Sequence, residues 1–345
     1  MTLILALIAC SQEPAAPSAP PAAPPKPAGV TVDAAAKALF APLPARMDGP
    51  EGAPSAEKIA LGRMLYHEKR LSKGGQIACA SCHQLDRFGV DGEPTSPGHE
   101  GQRGGRNSPT SLNAAGHVAQ FWDGRAATIE DQAKGPVLNP IEMAMPDEKT
   151  VVAVLGGIPE YRDAFAKAFP GEPDPVTYDN MAKAIGAFER GLVTPSRWDK
   201  FLAGDDAALT DAEKTGFNTF VATGCASCHG GAYVGGASYQ KLGMVNPWPD
   251  TTKDEGRFAV TKADADKMVF KVPSLRNVAK TGPWFHDGSV TTLEDAVKKM
   301  GHHQLGKDLS DADVASIVTW LGALTGELDP TYVAGPAQPA VATGG

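Results

Sequence analysis

The same five-residue pattern occurs twice in this chain, as Cys79-Ala80-Ser81-Cys82-His83 and as Cys225-Ala226-Ser227-Cys228-His229. Both copies fit C-x-x-C-H, the pattern by which a c-type haem is attached covalently. The two thiols form thioethers with the haem, and the histidine becomes the proximal ligand of its iron. With 5 Cys and 8 His in 345 residues, a chance match is expected in roughly two of a thousand such chains. The two motifs therefore predict two haem c groups, one in each half of the chain.

Three other kinds of site use paired cysteines, and each fits less well. A zinc site built from two C-x-x-C pairs does not require a histidine directly after the second cysteine of each pair. A thioredoxin-like redox pair needs a βαβ setting, and no alternation of strand and helix patterns surrounds either motif. A disulfide framework is typical of smaller chains. The motifs therefore favour haem attachment.

The remaining sequence predicts a mainly α fold. Amphipathic helix patterns are separated by long Gly-rich loops, and strand-like alternation is scarce. A length of 345 residues with 42% hydrophobic residues suits two domains. We expect two cytochrome-c-like helical domains, residues 40–194 and 195–330, each around one covalently bound haem, with the boundary at a turn near Pro195. Residues 331–345 are expected to form a flexible tail.

Helix starts are recognisable in the second half. A hydroxyl three residues before a carboxylate is typical of a capping box, and it occurs in the pairs Thr210 with Glu213, Thr291 with Glu294, and Ser310 with Asp313. Apart from the two haem motifs, we recognise no repeat between the halves.

The N-terminus predicts export from the cytoplasm. Residues 1–10 are mostly apolar and end in Leu7-Ile8-Ala9-Cys10, which resembles a bacterial lipoprotein processing site that would leave a lipid on Cys10. A plain cleaved signal or a free thiol is the alternative. Residues 11–39 are rich in Ala and Pro and predict an extended tether. We therefore expect a periplasmic protein that meets the membrane only through a lipid on Cys10.

The charge of the chain limits its partners. The net charge is −8 and the pI is near 5.5, without a basic patch, which argues against nucleic acid as a partner. An acidic surface attracts a small basic protein, although ordinary solubility explains the same charge.

The second axial ligand of each iron determines what that haem can do. Methionine raises the reduction potential, histidine gives a lower one, and an open or displaceable position permits chemistry. The candidates are His99, His117, Met143 and Met145 in the first half, and Met244, Met268, Met300, His286, His302 and His303 in the second. The residue types alone leave this choice open.

Several longer blocks point to a known family. They are Asn107-Ser108-Pro109-Thr110, Phe121-Trp122-Asp123-Gly124-Arg125-Ala126, Gln132 followed by Asn139-Pro140-Ile141-Glu142-Met143, Pro273-Ser274-Leu275-Arg276-Asn277, Pro283-Trp284-Phe285-His286-Asp287-Gly288 and Met300-Gly301-His302-His303-Gln304-Leu305-Gly306. In these blocks, from about residue 42 to residue 330, the chain resembles the bacterial dihaem cytochrome c peroxidases. The resemblance implies reduction of hydrogen peroxide to water with electrons from a small periplasmic cytochrome c or a cupredoxin.

The resemblance also implies roles for residues of the first half. His83 would hold the low-potential haem at which peroxide reacts, and His99, on the loop from Gly98 to Gly105, would be its displaceable distal ligand. Glu142 would act as the general acid and base of O–O cleavage, and Gln132 would hydrogen-bond to peroxide.

In the second half, the resemblance implies a high-potential haem that accepts electrons and is ligated by His229 and Met300. Trp122 would relay electrons between the haems. A calcium ion would be held by Asn107, Thr281 and Pro283, since oxygen ligands suit Ca²⁺. A homodimer is expected, as is usual in the family.

Two other functions remain as alternatives. The first is a dihaem enzyme that oxidises a protein substrate, like the one that matures a tryptophan-derived quinone cofactor; that enzyme has a tyrosine where this chain has Met300, and it lacks the displaceable histidine. The second is a non-catalytic dihaem electron carrier in which His99 never dissociates.

Overall fold

A computed structural model describes residues 29–49, 52–249 and 253–336 of the chain. In these ranges the fold is mainly helical, as predicted. The α-helices, α1 to α13 in chain order, are Ala34–Lys37, Ala56–Tyr66, Cys79–Cys82, Ile129–Leu138, Glu148–Gly156, Pro159–Ala168, Tyr178–Glu189, Arg197–Leu202, Asp211–Thr223, Phe258–Thr261, Leu293–Leu305, Asp311–Ala323 and Pro330–Val333. Two short strands, β1 Tyr239–Lys241 and β2 Val269–Lys271, pair antiparallel with Tyr239 opposite Lys271.

Side-chain caps begin the long helices of the second half. Two of the predicted capping pairs are confirmed, because Thr210 caps α9 with Glu213 and Ser310 caps α12 with Asp313. The third is wrong by one residue: Thr292 caps α11, and its hydroxyl accepts the N–H of Asp295 at 3.2 Å. Adjacent threonines precede adjacent acidic residues here, so the capping pattern alone could not choose between the two registers.

The first hydrophobic core is formed by α2 and α4 to α7. Helix α2 crosses α7 at Gly62, where an added Cβ would lie 1.8 Å from the carbonyl oxygen of Ala184. Leu61, Leu65 and Phe188 are almost fully buried beside this crossing. The close approach of the two backbones therefore requires glycine at position 62.

The second hydrophobic core is built in the same way from α8, α9, α11 and α12. Helix α9 crosses α12 at Gly216, whose added Cβ would lie 2.1 Å from the carbonyl oxygen of Ser316. Trp198, Phe217 and Trp320 pack around this crossing with ring centroids 4.9 to 5.4 Å apart. The predicted domain boundary near Pro195 lies between the two cores and stays a prediction.

An internal repeat relates the two halves, contrary to the sequence analysis. Residues 121–131, FWDGRAATIED, correspond to residues 285–295, FHDGSVTTLED. Each segment carries a phenylalanine with positive φ and an isolated β-bridge, and each leads into a helix capped by threonine, Thr128 for α4 and Thr292 for α11. The repeat places α4 and α11 in equivalent positions of the two halves.

The ends of the described chain pack on the opposite halves. Val32, Ala36 and Phe40 join the second core, and the N–H of Val30 donates to Asp211 at 3.0 Å. The expected tether of residues 11–39 is therefore wrong for residues 30–39, because Val32 and Ala36 pack against the second core and Val30 is hydrogen-bonded to Asp211.

The C-terminal segment crosses in the other direction. Tyr332 stacks on Phe188 with ring centroids 5.2 Å apart, and its hydroxyl donates to the Phe188 carbonyl at 2.7 Å. The expected flexible tail of residues 331–345 is thus wrong for its first residues, since α13 is packed on the first core. The predicted signal segment with Cys10, the tether up to residue 28 and the tail from residue 337 lie outside the described residues.

Helix length bears on membrane contact. Within residues 29–49, 52–249 and 253–336, no helix combines the length and the apolar character that crossing a bilayer demands.

Candidate active site with two haem cavities

The first C-x-x-C-H motif lies in the wall of a cavity. Cys79 and Cys82 are the ends of the short helix α3, and the backbone N–H of His83 donates to the Cys79 carbonyl at 2.9 Å. All three side chains line the cavity. The hydroxyl of the buried Tyr66 donates to the His83 carbonyl at 2.8 Å and fixes the end of the motif.

The second motif lines another cavity. Cys225 begins a short 3₁₀ turn, and Cys228 and His229 follow it in the same wall. Met300, on α11, lines this cavity as well. The structure therefore brings together the two residues expected to ligate the second iron.

The residues of both cavities fit a covalently bound haem. The four cysteines of the two motifs are free thiols that line the cavities, as thioether formation requires. Burial lowers the pKa of His83, and it lowers the pKa of His229 to about 4, so both imidazoles are neutral, as iron ligation requires. Within the described ranges, no three His, Cys, Asp or Glu side chains are grouped to hold a metal ion by themselves.

Glu142 faces the first cavity from the turn after α4. Its Oε1 accepts a hydrogen bond of 2.8 Å from Nδ2 of Asn139. Burial raises the pKa of Glu142, and the charge of Arg125 and the bond from Asn139 oppose that rise only in part. Gln132 lines the same cavity. The structure thus gathers the carboxyl and the amide predicted to handle peroxide on the same cavity as His83.

Arg125 and Asn139 act on the charge of Glu142, and sequence reasoning gave neither of them a role. The guanidinium of Arg125 lies 3.4 Å from the ring centroid of Phe121 and donates to Asp123 at 3.1 Å. These contacts hold its charge at the cavity. Both residues belong to blocks of the family resemblance, which was the one available signal.

His99 lies outside the first cavity. Gly98 lines the cavity, whereas His99 is not among its described lining residues. The N–H of His99 donates to the carbonyls of Ile141 and Glu142 at 2.9 and 2.8 Å, and Nε2 lies 3.6 Å from a carboxylate oxygen of Glu100. Ligation of an iron by His99 needs another arrangement of this loop and stays a prediction.

The repeat explains why the cavities differ. Pro136 on α4 and Met300 on α11 each come eight residues after the capping threonine, and each lines the cavity of its own half. A thioether can ligate iron, but a proline side chain has no ligating atom. The first cavity therefore lacks, at this position, the ligand that the second one has.

Trp122 lies between the two haem sites. It lines both cavities, and its indole N–H donates to the Asn107 carbonyl at 2.9 Å. Asn107 also lines both cavities, while Thr281 and Pro283 line the second. The structure thus places the three expected calcium ligands on one cavity.

Glu189 is a further carboxyl of the first cavity that sequence reasoning missed. It is 5% exposed, and its Oε2 accepts no hydrogen bond from the described residues. Burial, with repulsion from Glu130, raises the pKa of Glu189 to about 8. Glu189 is the last residue of the largely apolar helix α7, and nothing in the sequence indicated that its carboxyl is buried.

Because folding raises the pKa of Glu189 from 4.5 to about 8, the folded protein keeps a proton that the unfolded chain releases. Stability should therefore fall as the pH rises from 4.5 towards 8. Glu189→Gln should remove this loss and make the protein about 4 kcal/mol more stable than the wild type at pH 8, with no difference at pH 4. Guanidinium unfolding of the haem-loaded protein, followed by circular dichroism, measures this. The exposed Glu160→Gln is the control, and parallel pH profiles of Glu189→Gln and wild type would contradict the prediction.

Comparison with known proteins gives the family. The family model described as di-haem cytochrome c peroxidase matches residues 56–207. The cytochrome c551 peroxidase of Pseudomonas aeruginosa is 47% identical over 298 residues, 85% of this chain and 86% of that protein. The cytochrome c peroxidase Ccp of Escherichia coli is 47% identical over 279 residues, 80% of this chain and 59% of that protein. The methylamine utilization protein MauG of Methylophilus methylotrophus is 32% identical over 300 residues, 82% of this chain and 86% of that protein.

Two solved structures share this fold. A MauG-like protein associated with microbial copper homeostasis superimposes with a TM-score of 0.74 at 29% identity, covering 85% of this chain and 95% of its own. The diheme peroxidase BthA of Burkholderia thailandensis shares the fold, with a TM-score of 0.67 at 21% identity over 87% of this chain and 94% of its own.

This chain therefore belongs to the bacterial di-haem cytochrome c peroxidase family, and the predicted resemblance is confirmed. It is an oxidoreductase that acts on peroxide, and its family implies two haem c groups.

Proposed function

We propose that the His83 haem is the site of peroxide reduction and that the haem of His229 and Met300 accepts electrons from a small cytochrome c or cupredoxin. The observation that carries this assignment is the difference between Pro136 and Met300 at equivalent places of the repeat. Methionine ligation favours the reduced state and suits electron uptake, whereas a position that can open suits chemistry. The net reaction converts hydrogen peroxide, two electrons and two protons into two molecules of water.

The first cavity supplies the proton transfers. When bound, the haem provides the iron at which the O–O bond is reduced. Glu142, as a carboxylate, would accept a proton from one peroxide oxygen and return it to the other, departing oxygen. The raised pKa of Glu142 brings the carboxyl closer to the pH at which such exchange is efficient. Gln132 orients peroxide through its side-chain amide.

Electrons pass between the haems near Trp122. Its side chain lines both cavities, so the indole π-system lies on the short route between them. The hydrogen bond from its N–H to Asn107 fixes the ring in place.

The His99 loop controls access to the first iron. With His99 outside the cavity, Gly98 lies against the Glu142 segment so closely that an added Cβ would be 2.0 Å from the Ile141 carbonyl oxygen. In this arrangement peroxide could enter the first cavity. In the alternative arrangement His99 would be a ligand of the iron and would exclude peroxide.

The test is peroxide consumption by the half-reduced, haem-loaded protein, with a reduced small cytochrome c or a reduced cupredoxin as donor. The wild type should turn peroxide over. Gly98→Ala should turn it over roughly tenfold more slowly, because overpacking by one methyl against a backbone carbonyl costs about 1–3 kcal/mol and disfavours the open loop. Absorption spectra of the half-reduced Gly98→Ala protein should show more of the low-spin His83 haem.

Gly105→Ala is the matched control, since a Cβ at that position of the same loop meets nothing within 4 Å. It should retain wild-type turnover. A wild-type His83 haem that stays low-spin on half reduction, without peroxide consumption, would show that the protein is an electron carrier.

Other features of the proposal rest on the family. Calcium would be held at the second cavity by the side chain of Asn107 and by the carbonyls of Thr281 and Pro283, which all line it. We further propose a homodimer, a periplasmic location and attachment to the membrane through a lipid on Cys10. Hydrogen peroxide and a small electron-donor protein are the expected partners.

A further inference from the structure

Lys271 is a buried lysine in the wall of the second haem cavity. It is the last residue of β2, and its backbone N–H donates to the Trp122 carbonyl at 2.8 Å. The residue is only 9% exposed. The side chain is therefore fixed beside both the second haem and the tryptophan between the haems.

The ammonium of Lys271 has no carboxylate partner among the described residues. Its polar contact is Nδ1 of His117, at 3.3 Å. Burial lowers the pKa of His117 well below its usual value, and the charge of Lys271 lowers it further, so the imidazole is neutral and accepts from the ammonium. A neutral acceptor satisfies one N–H of three and leaves the charge uncompensated.

Other buried cations of this protein are paired. Arg276 bonds to Asp199 at 2.6 Å, and Lys214 bonds to Asp206 at 2.6 Å. Burial alone lowers the pKa of Lys271 to about 8, whereas an ion pair would raise the pKa of a lysine. A buried charge is normally paired, so an anion from outside the polypeptide is expected at this position.

We propose that the ammonium of Lys271 binds a propionate carboxylate of the second haem. A haem carries two propionates at its edge, and a buried cation in the cavity wall is suited to one of them. His117 holds the ammonium in place from the other side. The positive charge stabilises the reduced iron, which carries one positive charge less than the oxidised iron, and so it raises the potential of the haem that accepts electrons.

This inference rests on the haem in the second cavity and is independent of whether His99 leaves the first. Its test is an optical redox titration of the haem-loaded full chain, which needs no turnover. Lys271→Gln should make the reduction of the second haem about tenfold less favourable. This corresponds to a reduction potential that is ~59 mV lower for a one-electron couple. Lys271→Arg should keep most of the wild-type potential, because it keeps the charge.

Lys214→Gln is the matched control, since Lys214 is as buried but does not line the cavity; it should leave the potential unchanged. An unchanged potential in Lys271→Gln, or an equal fall in Lys271→Arg, would overturn the proposal. If neither variant folds, the wild-type protein decides: resonance Raman spectra of the second haem should show a propionate bending mode that shifts between H₂O and D₂O, and the absence of a shift would refute the contact.

Discussion

Replacing Glu142 with Gln should lower peroxide turnover about a hundredfold to ten-thousandfold, the usual loss when a general acid-base group is removed. The amide keeps the size of the side chain, and it can still meet Asn139, which now donates to Glu142 at 2.8 Å. What it loses is the ability to take a proton from one peroxide oxygen and return it to the other. Steady-state peroxide consumption with a reduced donor cytochrome measures the effect.

The control is Glu160→Gln, which removes an exposed carboxylate of the same half and should leave turnover unchanged. Spectra and haem content of both variants should equal those of the wild type, so that lost turnover reports on proton transfer alone. Turnover of Glu142→Gln within threefold of wild type would assign the acid-base role to another residue of the first cavity, with Glu189 the next candidate.

Replacing Asp199 with Ala should destabilise the protein by about 3–5 kcal/mol, because it leaves a buried guanidinium unpaired. The side chain of Arg276 is fully buried, and it donates to the two carboxylate oxygens of Asp199 at 2.6 and 2.9 Å. Asp199 also accepts the backbone N–H of Leu43 at 2.7 Å. Denaturant unfolding of the haem-loaded protein gives the free energy of unfolding.

Asp206→Ala is the appropriate comparison. It also removes the partner of a buried cation, Lys214, but the carboxylate is 81% exposed and water can take its place. Its loss should be no more than about 1 kcal/mol. If the two variants were equally stable, the Arg276 pair would not be the strong buried contact that its geometry indicates.

The cofactor sites were the most predictable part of the structure, because covalent attachment requires cysteine and histidine at fixed spacing. The motifs around His83 and His229 identified both cavities before any fold was known. Capping residues are local in the same way, and two of three were right. The third failed where Thr291 and Thr292 offered two equivalent registers.

Contacts between distant segments were not predictable. The repeat between residues 121–131 and 285–295 was present in the sequence, but it became evident only when both segments were seen to lead into equivalent helices. Lys271 and Glu189 gave no signal, since burial depends on elements far along the chain. For His99, the residue types predicted a loop and the family resemblance predicted a ligand; in the structure Gly98 and Gly104 of this loop line the first cavity, whereas His99 is not among its described lining residues.

The exchanged chain ends restrict how this molecule can move. The segment of residues 30–40 packs on the second half, and α13 packs on the first. A hinge motion between the halves would have to separate both segments from the hydrophobic cores on which they pack. The loss of these contacts opposes a wide opening. The contacts of the two chain ends therefore favour a constant distance between the two haem cavities, which is the distance that electrons must cross.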